Sequence, residues 1–189
     1  ISAQNATGNA SSLNYGVEIK LDKGWKTYWQ YPGQAGLPPE MNWEGSQNLG
    51  QVTNLYPAPK RFTLFDIDNF GYEDTVIFPF TASVAQIDQP QILQLKLNIL
   101  VCEEICVPEE MILQHHSPSG IAMPSDEAAL LANWVKKAPI PHNMLDSQVT
   151  LSLPKDAVGL NISFPLGKVP PFDDIFITSD DGANFGRPE

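Results

Sequence analysis

Residues 93–109 read Leu93-Gln94-Leu95-Lys96-Leu97-Asn98-Ile99-Leu100-Val101-Cys102-Glu103-Glu104-Ile105-Cys106-Val107-Pro108-Glu109. The apolar side chains at 93, 95, 97, 99 and 101 recur at every second position, which is the pattern of a β-strand with one buried face. The apolar run 111–113 predicts that a strand resumes after the cysteines. The pair would then bridge the two sides of a tight connection, although an offset of four residues also fits one helical turn.

Cys102 and Cys106 are the only two cysteines among the 189 residues. Closing so small a loop as a disulfide stabilises a protein by only about 2 kcal/mol, because the effect grows with loop length. A chain of this length can bury a core without that contribution. The spacing therefore favours a redox pair over a structural clip or half of a metal site. Four acidic residues flank the pair and disfavour a thiolate, so a partner would have to activate the dithiol: Glu103, Glu104, Glu109 and Glu110.

The rest of the chain is predicted to be mainly β-structure. Further alternating segments cover residues 15–21, 25–31, 76–84, 149–153, 160–164 and 175–177. No helical crossover separates the strands, which favours an antiparallel sandwich or barrel over a βαβ fold. One short helix is predicted near residues 125–137, where Leu130, Leu131, Trp134 and Val135 form an apolar stripe.

The chain is expected to have three parts. Residues 1–12 are small and polar, and predict a flexible lead-in. Residues 13–141 form the predicted β-sandwich domain, which ends at the prolines Pro139 and Pro141. Residues 142–189 are too few for a self-sufficient sandwich, so they are expected to be extra strands or the start of a truncated second β domain.

The charge excludes several classes of partner. The formal net charge is −11, from 22 acidic and 11 basic residues. Nucleic acids and anionic membrane surfaces reward basic patches, so neither is an expected partner. No run of 18 or more apolar residues is present, so no direct membrane insertion of this chain is expected.

Four blocks of sequence carry a resemblance to a known family, and they span roughly residues 13–141. They are Gly24-Trp25-Lys26-Thr27-Tyr28-Trp29 with the following 31–39, Tyr56-Pro57-Ala58-Pro59-Lys60-Arg61-Phe62, Phe70-Gly71-Tyr72-Glu73-Asp74, and 101–108 around the cysteines. The chain resembles the N-terminal periplasmic domain of the DsbD-type thiol:disulfide interchange proteins. It is most similar to the suppressor-of-copper-sensitivity B (ScsB) branch. Three residues separate its cysteines, where the better-known branch has five.

The resemblance implies an all-β, immunoglobulin-like antiparallel sandwich with an inserted redox sub-structure. It also implies a protein-disulfide reductase domain that acts as an electron relay without a cofactor. The donor would be a thioredoxin-like domain of the same full-length protein, and the acceptors would be periplasmic proteins that contain disulfides. The resemblance implies that the domain is periplasmic, as an extracytoplasmic domain of an inner-membrane protein of a Gram-negative bacterium.

The resemblance also assigns expected roles to individual residues. Cys106 would be the attacking thiol and Cys102 the resolving one. A cap over the disulfide is expected within residues 66–72, with Phe70 as the capping ring and with Asp68 and Tyr72 beside it. Tyr28 is expected to lie beside the cysteine pair.

Two other functions use the same sequence features. A copper(I)-binding or copper-resistance module would use both cysteines with soft or imidazole ligands nearby: Met111, His115, His116 and Met123. Adjacent histidines in a strand point to opposite faces, so at most one of His115 and His116 would join the cysteines. The second alternative is an adhesive sandwich domain whose disulfide has no chemical role.

Overall fold

The computed structural model describes residues 2–5, 12–64, 66–119, 125–140, 148–152, 159–163 and 176. The chain divides into two compact units, Ile1–Ala138 and Pro139–Glu189. The elements of the first unit are β1 (Ser2–Asn5), β2 (Ser12–Lys20), β3 (Lys26–Gly33), β4 (Glu40–Asn42), β5 (Leu49–Asn54), β6 (Lys60–Leu64), β7 (Ile67–Glu73), β8 (Thr75–Val84), β9 (Gln91–Cys102), β10 (Cys106–Ser117) and α1 (Ala128–Val135). Within the described part of the second unit, β11 (Gln148–Ser152) and β12 (Gly159–Ser163) pair antiparallel.

Two antiparallel sheets make up the first unit. The smaller has the strand order β1-β2-β8-β5. The larger has the order β10-β9-β3-β7-β6, and β4 also pairs with β9. The immunoglobulin-like, mostly antiparallel architecture expected from the sequence is confirmed, and so is the short helix near residues 125–137.

The core lies between the inner faces of the two sheets. The alternation of β9 is regular: Leu93, Leu95, Leu97 and Ile99 are all buried. Facing them are buried side chains of β2 and β8, including Tyr15, Phe78 and Phe80. Aromatic contacts cross the interface, because the ring of Tyr72 meets that of Phe78 edge-on at 5.3 Å. Burial of this apolar surface is the main favourable term in folding.

A hydrogen-bonded cluster joins β2 to the far ends of β9 and β10. The Tyr15 hydroxyl donates to Gln91 Oε1 at 2.7 Å and lies 2.8 Å from Ser117 Oγ. Gln91 Nε2 in turn donates to the carbonyl oxygens of Asn48 and Ser83. Buried polar groups need hydrogen-bond partners, and the residues of this cluster act as hydrogen-bond partners for one another.

Two boundaries differ from the sequence expectation. Ser2–Asn5, within the segment expected to be a lead-in, pairs with β2 from Ser2↔Gly16 to Asn5↔Leu13. The edge of β2 that does not pair with β8 presents backbone N–H and C=O groups, and β1 pairs with them. Amino-acid composition does not reveal such pairing. The helix begins at Ala128 instead of near residue 125 and ends at Val135. Its side chain Leu131 is buried and lies close to Gly16 on β2.

Candidate redox-active site

The two cysteines form a disulfide across the turn of the β9–β10 hairpin. Cys102 and Cys106 are directly opposite each other in the strand register, with their Cα atoms 4.1 Å apart. The connecting turn is closed by the Glu103 amide, which donates to the Ile105 carbonyl oxygen at 3.0 Å. Of the two geometries that fit the spacing, the structure has the hairpin and not the helical turn.

The two halves of this disulfide differ in their access to solvent. Cys102 is 0% exposed, whereas Cys106 is exposed. Thiol–disulfide exchange requires a thiolate to reach one sulfur along a defined approach, and access decides which sulfur is attacked. Of the two sulfur atoms, that of Cys106 is therefore the one that an incoming thiolate can reach in this structure.

Tyr28 lies beside the buried cysteine, as expected. Its hydroxyl is 3.2 Å from Cys102 Sγ, and the residue is almost completely buried. Burial raises the pKa of Tyr28 above its ordinary value, so the phenol stays protonated and keeps a hydrogen to donate. A thiol or thiolate sulfur accepts such a hydrogen bond more strongly than a disulfide sulfur, because charged acceptors form the stronger bonds.

Two further residues hold the Tyr28 ring in place. Gly36, in the connection between β3 and β4, has a φ of +100° and lies so close that a Cβ there would overlap the ring. Phe62 of β6 contacts the ring at a centroid distance of 5.9 Å. Neither residue was singled out from the sequence, although both lie in blocks that carry the family resemblance.

Charged groups line the same face of the larger sheet. Glu73, Lys26, Cys102 and Cys106 are in register across β7, β3, β9 and β10, and directly opposed residues project to the same face. The Lys26 ammonium donates to the Gly24 carbonyl oxygen at 3.1 Å and lies 5.9 Å from the Phe62 ring centroid. The carboxylate of Glu103 lies against Gly24, so the β2–β3 turn supports the disulfide hairpin.

The segment expected to form a cap is largely strand β7. Phe70 is half-buried, and the Arg61 guanidinium lies 4.7 Å from its ring centroid. Asp68 Oδ1 accepts a hydrogen bond from Thr63 Oγ1 at 3.1 Å. Alternation along β7 places Phe70 and Tyr72 on the face opposite to Gly71, which is the register partner of Tyr28.

Tyr72 belongs to the core. It is buried, its hydroxyl donates to the Pro57 carbonyl oxygen at 2.8 Å, and desolvation raises its pKa above the ordinary value. The capping role of Phe70 and the site roles of Asp68 and Tyr72 stay predictions.

Three of the residues considered as further copper ligands, Met111, His115 and His116, are spread along β10. His115 is half-buried with its ring edge-on to Tyr15 at 5.6 Å, while His116 is exposed, as alternation along a strand requires. Met111 pairs with Leu97, far along the strand from the disulfide. Met123 lies outside the described residues. In the described part of the chain, no group of three or more His, Cys, Asp or Glu side chains is arranged to hold a metal ion.

Among the residues that the structure describes, no helix combines the length and the apolar character that crossing a bilayer requires.

Comparison with known proteins agrees with the fold and the disulfide. The model of the family described as "Thiol:disulfide interchange protein DsbD, N-terminal" matches residues 2–118. No curated protein matches the chain by sequence. Among solved structures, the N-terminal periplasmic domain of ScsB from Proteus mirabilis superposes with a TM-score of 0.58 at 19% identity, covering 90% of this chain and 81% of that one.

The Neisseria meningitidis DsbD N-terminal domain in its reduced form has a TM-score of 0.35 at 18% identity, covering 61% of this chain and 83% of that one. The likeness to the Proteus mirabilis structure supports the fold, and the family model identifies the sequence. The chain therefore belongs to the family of DsbD N-terminal domains.

Proposed function

We propose that this domain relays electrons by thiol–disulfide exchange in the periplasm, through Cys102 and Cys106. The observation that carries the proposal is the asymmetry of the pair, with one exposed and one fully buried cysteine at a hairpin turn. Family membership supports thiol–disulfide chemistry, and the periplasmic origin of the Proteus mirabilis domain supports the compartment.

The reductive half begins with a thiolate of the donor attacking Cys106 Sγ. The Cys102–Cys106 bond breaks, a mixed disulfide forms between the donor and Cys106, and Cys102 leaves as a thiolate that takes up a proton. The Tyr28 hydroxyl, 3.2 Å from Cys102 Sγ, is placed to donate a hydrogen bond to this leaving sulfur. The donor's second thiolate then attacks the mixed disulfide and releases Cys106, so two electrons have entered the pair.

The oxidative half runs in the opposite direction. The Cys106 thiolate attacks a disulfide of the acceptor protein and forms a new mixed disulfide. Cys102 resolves it by attacking Cys106 Sγ, which restores the intramolecular bond and leaves the acceptor as a dithiol. We propose a thioredoxin-like domain of the same full-length protein as the donor and periplasmic disulfide proteins as acceptors. The unit that performs the exchange is the β-sandwich expected from residues 13–141.

Single cysteine variants test this order of events. In Cys102→Ser the exposed Cys106 remains, and we expect it to accumulate a mixed disulfide with an oxidised protein, because no resolving thiol is present. In Cys106→Ser the remaining thiol is buried, so adducts are expected to form much more slowly. Non-reducing electrophoresis with mass spectrometry measures both, and a variant without either cysteine is the control. Equal trapping by the two single variants would contradict the assignment of Cys106.

A further inference from the structure

The turn inside the disulfide loop presents a large apolar side chain to solvent. Ile105 immediately precedes Cys106 and is 65% exposed. A tight turn at the surface is ordinarily built from small or polar residues, and this one holds Glu103, Glu104 and Ile105. Single exposed apolar side chains are common on protein surfaces. Ile105, however, lies beside the exposed sulfur, so any protein that reaches Cys106 would contact it.

A second exposed apolar side chain approaches the site from another segment. Leu37 is 60% exposed and follows Gly36, which lies against the Tyr28 ring. The same ring ends in the hydroxyl that contacts Cys102 Sγ. Ile105 thus lies inside the disulfide loop, and Leu37 lies next to the residue that covers the Tyr28 ring.

Negative charge lies beside Ile105 in the disulfide loop. Glu103 and Glu104, in the same turn, are both exposed. Lys26, on the same face of the sheet, donates to the Gly24 carbonyl oxygen, and Glu110 pairs with Lys96 at 2.9 Å. Complementary charges steer association and suppress wrong partners, so this rim favours a partner with basic residues around its reactive cysteine.

We infer that Ile105 determines specificity: it contacts a partner whose reactive cysteine lies in an apolar surface with a basic rim. This rests on the proposed exchange function and adds the chemistry of the partner. Burial of Ile105 against such a surface places the partner's sulfur next to Cys106, since the two residues are neighbours in the chain. Leu37 extends the apolar surface, and the carboxylates select for positive charge around it.

The chain contains a matched control for Ile105. Ile112 is the same residue type, is also 65% exposed, and lies on β10. It is six residues from Cys106, which is about 20 Å along an extended strand. Ile112→Thr therefore removes the same apolar group at a position away from the disulfide and leaves the surroundings of the disulfide unaltered.

The test compares two synthetic peptides of equal length, each with one cysteine. One has leucines and lysines beside the cysteine, and the other has serines and glycines. The rate at which each opens the Cys102–Cys106 disulfide is divided by its rate with glutathione disulfide, which removes differences in intrinsic thiol reactivity. We expect the unaltered protein to prefer the apolar, basic peptide by about tenfold, the size of effect that a single well-placed contact produces.

Ile105→Thr keeps the branched shape at Cβ and is expected to lose most of this preference, while Ile112→Thr and Ile105→Met retain it. The reduction potential and the rate with dithiothreitol are expected to stay unchanged in all three variants, which separates docking from a change in the disulfide itself. Equal preference in Ile105→Thr and Ile112→Thr, or no preference in the unaltered protein, would overturn the inference. A disulfide that no thiol opens, dithiothreitol included, would instead refute the proposed function.

Discussion

At the scale of single residues, the site depends on one buried phenol. The Tyr28 hydroxyl contacts Cys102 Sγ at 3.2 Å, and the ring is enclosed by Gly36 and Phe62. Cys102 is 0% exposed while the disulfide is closed, so its neighbours in the protein and not water surround its sulfur. Tyr28 is therefore placed to stabilise the reduced state of the pair more than the oxidised state.

Removal of this hydroxyl is predicted to make the reduction potential of the pair more negative. Tyr28→Phe keeps the ring and deletes a hydrogen bond worth about 1 kcal/mol, mainly from the reduced form. That energy corresponds to roughly 20 mV for a two-electron couple. Thiol trapping in glutathione buffers measures the shift. The control is Tyr31→Phe on the same strand, where the ring packs edge-on against Trp29 at 5.5 Å, and an equal shift in both variants would contradict the role of Tyr28.

At the scale of elements, the connection between β3 and β4 encloses the buried side of the site. Gly36 has a φ of +100°, a conformation that L-residues with a side chain rarely adopt, and it leaves no space between the backbone and the Tyr28 ring. The hydroxyl of the same side chain contacts Cys102 Sγ in the disulfide hairpin. The position of this connection should therefore control how readily Cys102 becomes accessible.

Gly36→Ala is predicted to displace the connection and to speed reduction by dithiothreitol several-fold. The strained backbone is expected to cost about 1–3 kcal/mol of unfolding free energy. Gly45→Ala is a matched control because Gly45 has a φ of +90° and its added Cβ would meet the side-chain amide of Gln94. That variant is expected to lose stability without a change in the reduction rate. A comparable acceleration in both variants would show that general destabilisation, and not the Gly36 contact, is responsible.

Strand β10 carries a pH-dependent contribution to stability. Desolvation in the fold lowers the pKa of His115 below its ordinary value of 6.5, and the neighbouring His116 acts in the same direction. The folded state thus prefers the neutral ring. The associated stability is complete above pH 6.5 and is lost as the pH falls below it.

His115→Gln is predicted to remove this part of the pH dependence. Urea unfolding between pH 7.5 and 5 measures it, and the adjacent exposed His116→Gln is the control. A slope that is unchanged in His115→Gln, or that disappears equally in His116→Gln, would contradict the assignment to His115.

The elements also show what sequence patterns reveal and where they stop. Strict alternation identified β9, and the two cysteines were identified from their spacing alone. The cap expected within residues 66–72 stays a prediction, and most of this segment is strand β7, where Asp68, Asn69 and Gly71 obscure the alternation. Gly71 belongs in that strand because its backbone approaches Thr27 so closely that a Cβ would collide with the Thr27 carbonyl oxygen. Contacts such as Gly36 or Phe62 on Tyr28 depend on tertiary packing, which no local pattern encodes.

At the scale of the whole molecule, the disulfide, Tyr28 and their supporting residues all lie in the unit Ile1–Ala138. Helix α1 belongs to this unit too, and the Lys137 carbonyl oxygen after it accepts a hydrogen bond from the Ala58 amide at 2.7 Å. All the contacts described for the site are therefore made by residues that precede Pro139 in the chain.

A chain that ends at Ala138 is predicted to fold and to keep the reduction potential of the full chain. Its cooperative unfolding and its potential, measured beside the 189-residue protein, test this expectation. A shortened chain that fails to fold, or whose potential differs, would contradict this expectation.

The reduction potential of the Cys102–Cys106 pair tests the central claim most directly. A relay that passes electrons outward is predicted to have a value between that of thioredoxin, about −270 mV, and that of the oxidant DsbA, about −120 mV. Equilibration in glutathione and dithiothreitol buffers, followed by thiol trapping, measures it. A value well below about −300 mV is typical of a structural disulfide and would contradict the relay; copper(I) binding by the reduced protein would then become the function to test.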